Sequence, residues 1–158
     1  MQLLDIRIAD VTNYKKPSMV IVCPKCDFKC EKECGIKCCH NNSLVYYPLK
    51  QVSADYIARL YTENKTCKAL VFSGLEPILS FDEMTEVMFK FREVSKNPII
   101  IYTGYKEEEM PKRIKFLQEN FKNVIIKFGR FIPNQEHHID EVLGVELASP
   151  NQYAKKIC

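Results

Sequence analysis

Six of the eight cysteines fall within seventeen residues, at positions 23–39, directly after the apolar run SMVIV. Thiolates are soft ligands that select iron-sulfur clusters or zinc, and both uses need several cysteines on a loop that can wrap the metal. In a reducing compartment such a group binds metal more often than it forms a disulfide framework. The sequence therefore predicts a metal-binding loop over residues 23–42.

The whole chain has the size and composition of one domain. Its 158 residues are 46% hydrophobic, which is enough for one sizeable core, and we expect a single domain over residues 1–158. The 23 basic and 20 acidic residues are interspersed, so no basic face predicts a nucleic-acid or membrane partner. No segment has the pattern of a signal peptide or a membrane span, and we expect a cytoplasmic protein.

Short apolar runs alternate with helical patterns after the cysteine loop begins. The predicted strands cover residues 19–22, 69–72, 98–102, 123–127 and 142–147, and the predicted helices cover 53–61, 81–94 and 107–119. This rhythm is typical of repeated βαβ units, which form a mostly parallel α/β sheet, either open or closed into an incomplete barrel. In both architectures ligands bind at the carboxyl ends of the strands.

Three turns follow the first three of these strands. They are the cysteine loop, SGLEP at residues 73–77 and TGY at residues 103–105. Because the carboxyl ends of parallel strands meet at one edge of a sheet, we expect all three turns to open onto one face.

The cysteine spacing permits a zinc site. Cys23 and Cys26 would form one knuckle with the usual two-residue interval. Two of Cys34, Cys38 and Cys39 would form the other knuckle, without that interval and with only seven residues between the two pairs.

The same loop permits an iron-sulfur cluster. Cys26-x3-Cys30 would supply two ligands, and Cys39 in the tripeptide CHN would supply the third. Three ligands on a 4Fe-4S cluster leave one iron open for chemistry. Cys34 and Cys38 are rival ligands, because Cys30-x3-Cys34-x3-Cys38 is an equally regular series.

Five motifs stand in order along the chain: CHN at the end of the cysteine loop, SGLEP, IIIYTGY, IIKFGRF and LASPNQ. Together they resemble the activating proteins of anaerobic ribonucleotide reductase, which are small radical S-adenosylmethionine (SAM) enzymes. The resemblance runs over residues 18–152 and implies the compact, incomplete (βα) barrel of that family. It favours Cys39 as the third ligand, although eight residues separate Cys30 from Cys39 where the family has two.

The resemblance also implies an activity and its partners. A reduced 4Fe-4S cluster with bound SAM would yield methionine and a 5'-deoxyadenosyl radical, which removes a hydrogen from a glycine of a large protein. The implied substrate protein is the anaerobic ribonucleoside-triphosphate reductase, and the implied electron donor is a flavodoxin or ferredoxin. One alternative is the activation of another glycyl-radical enzyme or the modification of a peptide. The other is a cysteine-rich zinc or iron-sulfur module that binds a partner and catalyses nothing.

The resemblance assigns four residues to SAM. SGLEP is similar to the Gly-Gly-Glu-Pro element of radical SAM proteins, so Ser73, Gly74 and Glu76 would hold the SAM amino group. Gly104 would let the backbone approach SAM. The plainer alternative is an ordinary turn with a solvent-facing Glu76.

The remaining polar residues have plainer predictions. Lys127 and Arg130 are candidates for holding the SAM carboxylate, although lysine and arginine are usually solvated surface residues. Cys34 and Cys38 are loop thiols, or else a second metal site or redox-sensitive thiols beside the cluster. Cys158 is expected in a solvated tail, and the paired histidines of NQEHHID are expected on the surface.

Overall fold

The computed structural model describes residues 1–158, which form ten β-strands and four α-helices. The strands are β1 (Gln2–Leu3), β2 (Asp5–Asp10), β3 (Ser18–Cys23), β4 (Lys50–Gln51), β5 (Ala69–Gly74), β6 (Ile99–Tyr102), β7 (Val124–Phe128), β8 (His138–Asp140), β9 (Val145–Leu147) and β10 (Tyr153–Lys156). The helices are α1 (Lys29–Cys34), α2 (Ala54–Glu63), α3 (Phe81–Val94) and α4 (Pro111–Asn120).

Six strands form one mixed sheet in the order β10, β7, β6, β5, β3, β2. The four inner strands, β3, β5, β6 and β7, run parallel, and β2 and β10 pair antiparallel at the edges. Helices α2, α3 and α4 connect successive parallel strands, so the carboxyl ends of those strands lie along one edge. The register places Cys23 beside Gly74 and Tyr102 beside Lys127 at this edge.

Both faces of the six-stranded sheet are covered. Leu70 and Phe72 of β5 join a cluster of 25 buried residues, which includes the apolar sides of α2, α3 and α4. Ala69 and Val71 of the same strand point the other way, into a cluster of 11 that includes Leu147 from β9. This alternation follows from the two-residue period of a strand, and burial on both faces explains why the inner strands are continuous apolar runs.

The predicted inner strands are present. The structure has them at β3, β5, β6 and β7, each within two residues of its predicted bounds, and it has the predicted helix 81–94 as α3. Ser53 caps α2 as expected, because its hydroxyl accepts a hydrogen bond from the N–H of Tyr56 at 3.2 Å. The sheet keeps two edge strands, and closure into an incomplete barrel stays a prediction.

The predicted parallel strand over residues 142–147 is wrong. Only Val145–Leu147 is extended, and it pairs antiparallel with β8 in a separate two-stranded sheet. The reason is Gly144, whose φ of +69° and hydrogen bond to the Asp140 carbonyl form a tight turn just before β9.

The predicted helix over residues 107–119 begins too early. Glu107–Glu109 forms a separate 3-10 turn, and α4 starts at Pro111. Proline has no backbone N–H to donate and its φ already suits the first helical turn, so it marks the first residue of α4.

Candidate metal centre

A cavity of about 160 Å³ opens at the carboxyl edge of the parallel strands. Seven of its lining residues are the ones that the sequence singled out: Cys26, Cys30, Cys39, Ser73, Gly74, Glu76 and Gly104. They come from three turns that are distant in sequence, and the structure brings them together around one space. Four larger cavities, of about 250 to 580 Å³, lie elsewhere on the molecule, and a single cysteine, Cys38, lines one of them, of about 400 Å³.

Helix α1 accounts for the long interval between Cys30 and Cys39. The helix carries Cys30 in its first turn and ends at Gly35, whose φ of +71° reverses the chain and whose N–H donates to the Glu31 carbonyl at 2.8 Å. The Glu31 side chain then accepts hydrogen bonds from the N–H of Cys39 at 3.2 Å and from the Asn42 amide at 3.3 Å. The extra residues are folded into a helical turn that returns Cys39 to the cavity.

The other loop cysteines do not line this cavity. The Cys34 thiol points to the Phe131 carbonyl at 4.0 Å, and Cys38 lines a different cavity, of about 400 Å³. Cys23 ends β3 with no exposed surface. Cys158 is not a solvated tail as expected, because it is partly buried and packs against the larger core.

Glu76 is buried beneath the cavity, with 4% of its surface exposed. Its carboxylate accepts hydrogen bonds from the N–H of Gly104 at 2.8 Å and from the N–H of Ile78 at 3.1 Å. Burial raises the pKa of this carboxyl, and the hydrogen bonds partly oppose that shift. The alternative of a solvent-facing Glu76 is therefore wrong, and a buried acceptor ties the second turn to the third.

The two glycines have different reasons to be glycine. A Cβ on Gly104 would lie 3.5 Å from both the Cys30 sulfur and a Glu76 carboxylate oxygen, at the cavity wall. Gly74 has a φ of +92°, and a Cβ there would collide with Val22 at 2.7 Å. Close packing against β3 thus accounts for Gly74, whereas Gly104 leaves space beside the thiols.

Lys127 and Arg130 are both buried, contrary to the surface placement expected for such residues. Lys127 lines the cavity, and its ammonium donates to the Gly129 carbonyl at 3.0 Å. Burial lowers the pKa of Lys127 to about 8. Arg130 does not line the cavity, since its guanidinium contacts Glu109 at 2.7 and 2.8 Å and Glu33 at 2.9 Å.

The comparison with protein families matches residues 18–147 to the 4Fe-4S single cluster domain. The chain belongs to this family. The matched range contains all six loop cysteines and both turns that complete the cavity, so the protein is an iron-sulfur protein. No curated protein and no solved structure gives a significant match to the chain.

The cavity suits the cluster of a 4Fe-4S single cluster domain. Its donor set is three soft thiols, of Cys26, Cys30 and Cys39, and burial is the main cause that raises the pKa of each. Burial favours the protonated form of these thiols, and a bound metal cluster would take the place of their protons. No three His, Cys, Asp or Glu side chains come close enough to hold a single ion. A four-iron cluster instead takes each thiolate on a different iron, so its ligands stand apart around a cavity.

Four polar residues hold the cysteine loop of this 4Fe-4S single cluster domain against the rest of the domain. Tyr105, from the TGY turn, donates to Asp27 at 2.8 Å, between two of the cavity cysteines. Lys29 of α1 pairs with Glu109 at 3.3 Å, which adds to the Arg130 contacts described above. None of these groups lines the cavity, so they position the loop from outside.

No helix of the structure is long and apolar enough to cross a membrane.

Replacing Glu109 by glutamine should destabilise the apo-protein near neutral pH. Hydrogen bonds from Arg130 hold the pKa of Glu109 at about 2, below its ordinary value of 4.5. A depressed pKa stabilises the fold above the ordinary value and loses that contribution as the pH falls toward the folded-state value. Because Glu109 is partly exposed, we expect about 1 kcal/mol in urea unfolding near pH 7 and almost no difference near pH 2. The exposed Glu108→Gln is the control, and a Glu109 effect independent of pH would contradict the assignment.

Proposed function

We propose that the protein is a radical SAM activating enzyme that generates a glycyl radical on anaerobic ribonucleoside-triphosphate reductase. The observation that carries the proposal is the composition of one cavity. Three thiols line it from the cysteine loop, and the SGLEP and TGY turns complete it from the neighbouring strands. Cluster ligands and the elements that resemble a SAM site therefore share one space.

The thiols would hold three irons and leave the fourth open to SAM. Cys26, Cys30 and Cys39 are the proposed ligands, because they line the cavity while Cys34 and Cys38 do not. An open coordination position next to a binding pocket is a requirement for metal chemistry on a substrate. The open iron distinguishes the proposed site from a structural metal site, in which protein ligands occupy every coordination position.

Charged groups at the cavity match the two ends of the amino-acid part of SAM. Each carboxylate oxygen of Glu76 has a lone pair left after its one backbone hydrogen bond, and these are acceptors for an ammonium group. The Lys127 ammonium has three N–H donors, and one protein partner is present at Gly129. We therefore assign the SAM amino group to Glu76 and the SAM carboxylate to Lys127. Arg130 is a poorer candidate for the carboxylate, since Glu109 and Glu33 already neutralise it.

When bound, the cluster and SAM supply reductive cleavage of SAM to methionine and 5'-deoxyadenosine, with hydrogen taken from a glycine Cα. The chain itself contributes orientation and shielding. The site lies in a cavity at a sheet edge, which suits access by a loop of a large protein. Gln152 of the motif LASPNQ and Gly129 of the motif IIKFGRF also line this cavity, so all five motifs that resemble the reductase activators contribute to its wall.

Anaerobic reconstitution with iron and sulfide, followed by dithionite and SAM, tests the proposal. We expect stoichiometric 4Fe-4S absorbance and formation of 5'-deoxyadenosine and methionine. In the presence of the reductase, we expect a glycyl-radical signal in electron paramagnetic resonance. A fully loaded cluster that is indifferent to SAM would overturn the proposal and support a non-catalytic iron-sulfur module. Cleavage of SAM with radical formation only on another glycyl-radical enzyme would overturn the assigned partner alone.

A further inference from the structure

We propose that residues 44–49 and the groove beside them form the docking surface for the reductase that carries the substrate glycine. The inference rests on the proposed function, because it names where that partner contacts the protein. The docked segment of the reductase would place an apolar side chain in the groove and an acidic side chain at its rim. Residues 44–49 are called the tyrosine patch below, since Tyr46 and Tyr47 lie at its centre.

The tyrosine patch is apolar, exposed and without charge. Tyr46 is 87% exposed and Tyr47 is 58% exposed, and Val45 and Leu49 beside them are exposed as well. No charged residue occurs between positions 41 and 49. Single exposed apolar side chains are ordinary, but a contiguous group of them marks an interaction site. Tyrosine in surroundings that lack charge is also the composition typical of the centre of an interface.

The backbone of the tyrosine patch is held in place at both ends. Before the patch, the side-chain amide of Asn41 donates to the Gly74 carbonyl at 2.8 Å, and a 3-10 turn over Asn42–Tyr46 follows. After the patch, Lys50 pairs with Leu3 in the two-stranded sheet of β1 and β4. The exposed side chains therefore stand on a fixed backbone, and binding would cost little entropy for ordering the segment.

A groove of about 250 Å³ lies beside the tyrosine patch, near the carboxyl end of β3. Its apolar walls are Leu44, Tyr47 and Pro48 from the patch, and Leu4 and Val22 from the rest of the domain. Interface residues that contribute most to affinity are anchors that fill a pocket of this kind. The groove therefore accepts an apolar side chain of the partner.

The charges at the groove favour an acidic group next to that anchor. Asp5, Arg7 and Lys50 complete the lining. Lys50 contacts the Asp5 carboxylate at 2.9 Å, so these two charges offset each other. Arg7 is exposed and forms no ion pair, which leaves the groove with one positive charge. A carboxylate of the partner would complement it.

The tyrosine patch is continuous with the cluster cavity, and this continuity is the reason to assign the reductase as its partner. Asn41 lines the cluster cavity and directly precedes the 3-10 turn that carries the patch. Val22, in the groove wall, is followed by Cys23, which lies beside Gly74 of the cavity. A protein whose glycine reaches the cavity must cover the surface next to it, and the patch is an apolar part of that surface.

Equilibrium binding of the reductase from the same organism to the reconstituted protein tests the inference. Tyr46→Ser and Tyr47→Ser should each weaken binding by about tenfold or more, the effect of truncating a central interface residue. Arg7→Gln should weaken binding at low salt and have less effect at high salt, because salt screens an exposed charge. Tyr56→Ser is the matched control, since Tyr56 is an exposed tyrosine of α2, which packs on the other face of the sheet.

Separate measurements distinguish failure of the docking surface from failure of the proposed function. SAM cleavage by the wild type with dithionite, without the reductase, tests the proposed function, and its absence would leave the binding measurement to decide the inference. Three outcomes would overturn the inference: no binding of the reductase to the wild type, equal binding by the two tyrosine variants, or a dimer of this chain that both substitutions dissociate. Because the Tyr46 side chain is 87% exposed, its replacement removes few contacts within the fold, and cluster absorbance checks each variant.

Discussion

Cys39→Ala should abolish the 4Fe-4S absorbance after reconstitution, whereas Cys38→Ala should retain it. The two cysteines are neighbours in sequence, but Cys39 lines the cluster cavity and Cys38 lines a separate cavity of about 400 Å³. Removing one of three thiolates leaves an iron without a protein ligand, and cluster binding of this kind depends on each ligand. We expect iron content to fall from about four atoms per chain to near zero for Cys39→Ala.

The same experiment distinguishes every ligand set that the sequence leaves open. Cys26→Ala and Cys30→Ala should behave like Cys39→Ala, and Cys34→Ala should behave like Cys38→Ala. Iron and sulfide analysis with the absorbance of anaerobically purified protein measures all five variants. Retention of the cluster without Cys39, or its loss without Cys34 or Cys38, would contradict the ligand assignment.

The inner sheet could be predicted because its sequence signals are strong and redundant. Continuous runs such as IIIY in β6 are buried on both faces, and a run of that length fits a strand better than a helix. Helix α3 has buried residues at helical spacing, and its bounds were predicted to the residue. In contrast, β10 has only Ala154 buried, so a two-residue period is hardly visible there and the strand was missed.

The sequence could predict which segments form the candidate site, but not how the cysteine loop is arranged within it. The turns after parallel strands indicated which segments meet, and seven residues from three of them line one cavity. The selection of Cys39 over Cys34 and Cys38 could not come from spacing, because helix α1 folds the interval and has no buried residue to mark it. Geometry inside the loop depends on Gly35 and on the Glu31 contacts, which have no periodic signature.

Lys127 was the residue most underestimated from the sequence. Lysine is usually solvated, and that general expectation outweighed the local pattern. The available signal was its place inside the apolar run VIIKF, at the carboxyl end of an inner strand. A charged residue within such a run is buried only where a partner or a ligand offsets the cost of desolvation, so its position in sequence already indicated a binding site.

Glu76→Gln should weaken SAM binding by about 10- to 100-fold, which corresponds to the roughly 1.5–3 kcal/mol of a hydrogen bond to a charged group. The buried carboxylate is the proposed acceptor for the SAM ammonium, and the neutral amide also turns a donor toward the N–H of Gly104 or Ile78. Equilibrium binding of SAM to the reconstituted protein measures the loss, with cluster absorbance as the check that the site is intact. Glu86→Gln, on the exposed side of α3, is the matched control.

The pH dependence of SAM binding distinguishes loss of the Glu76 charge from a disturbance of the turn that carries Glu76. Burial raises the pKa of Glu76, so protonation as the pH falls should weaken SAM binding to the wild type earlier than for an ordinary carboxyl. The Gln variant has no proton to gain at this position and should lack that part of the pH profile. If the variant binds SAM as tightly as the wild type, Glu76 is only a structural brace between the second and third turns. If both proteins weaken in parallel as the pH falls, the titrating group lies elsewhere, and the SAM amino group must be held by another acceptor of the cavity.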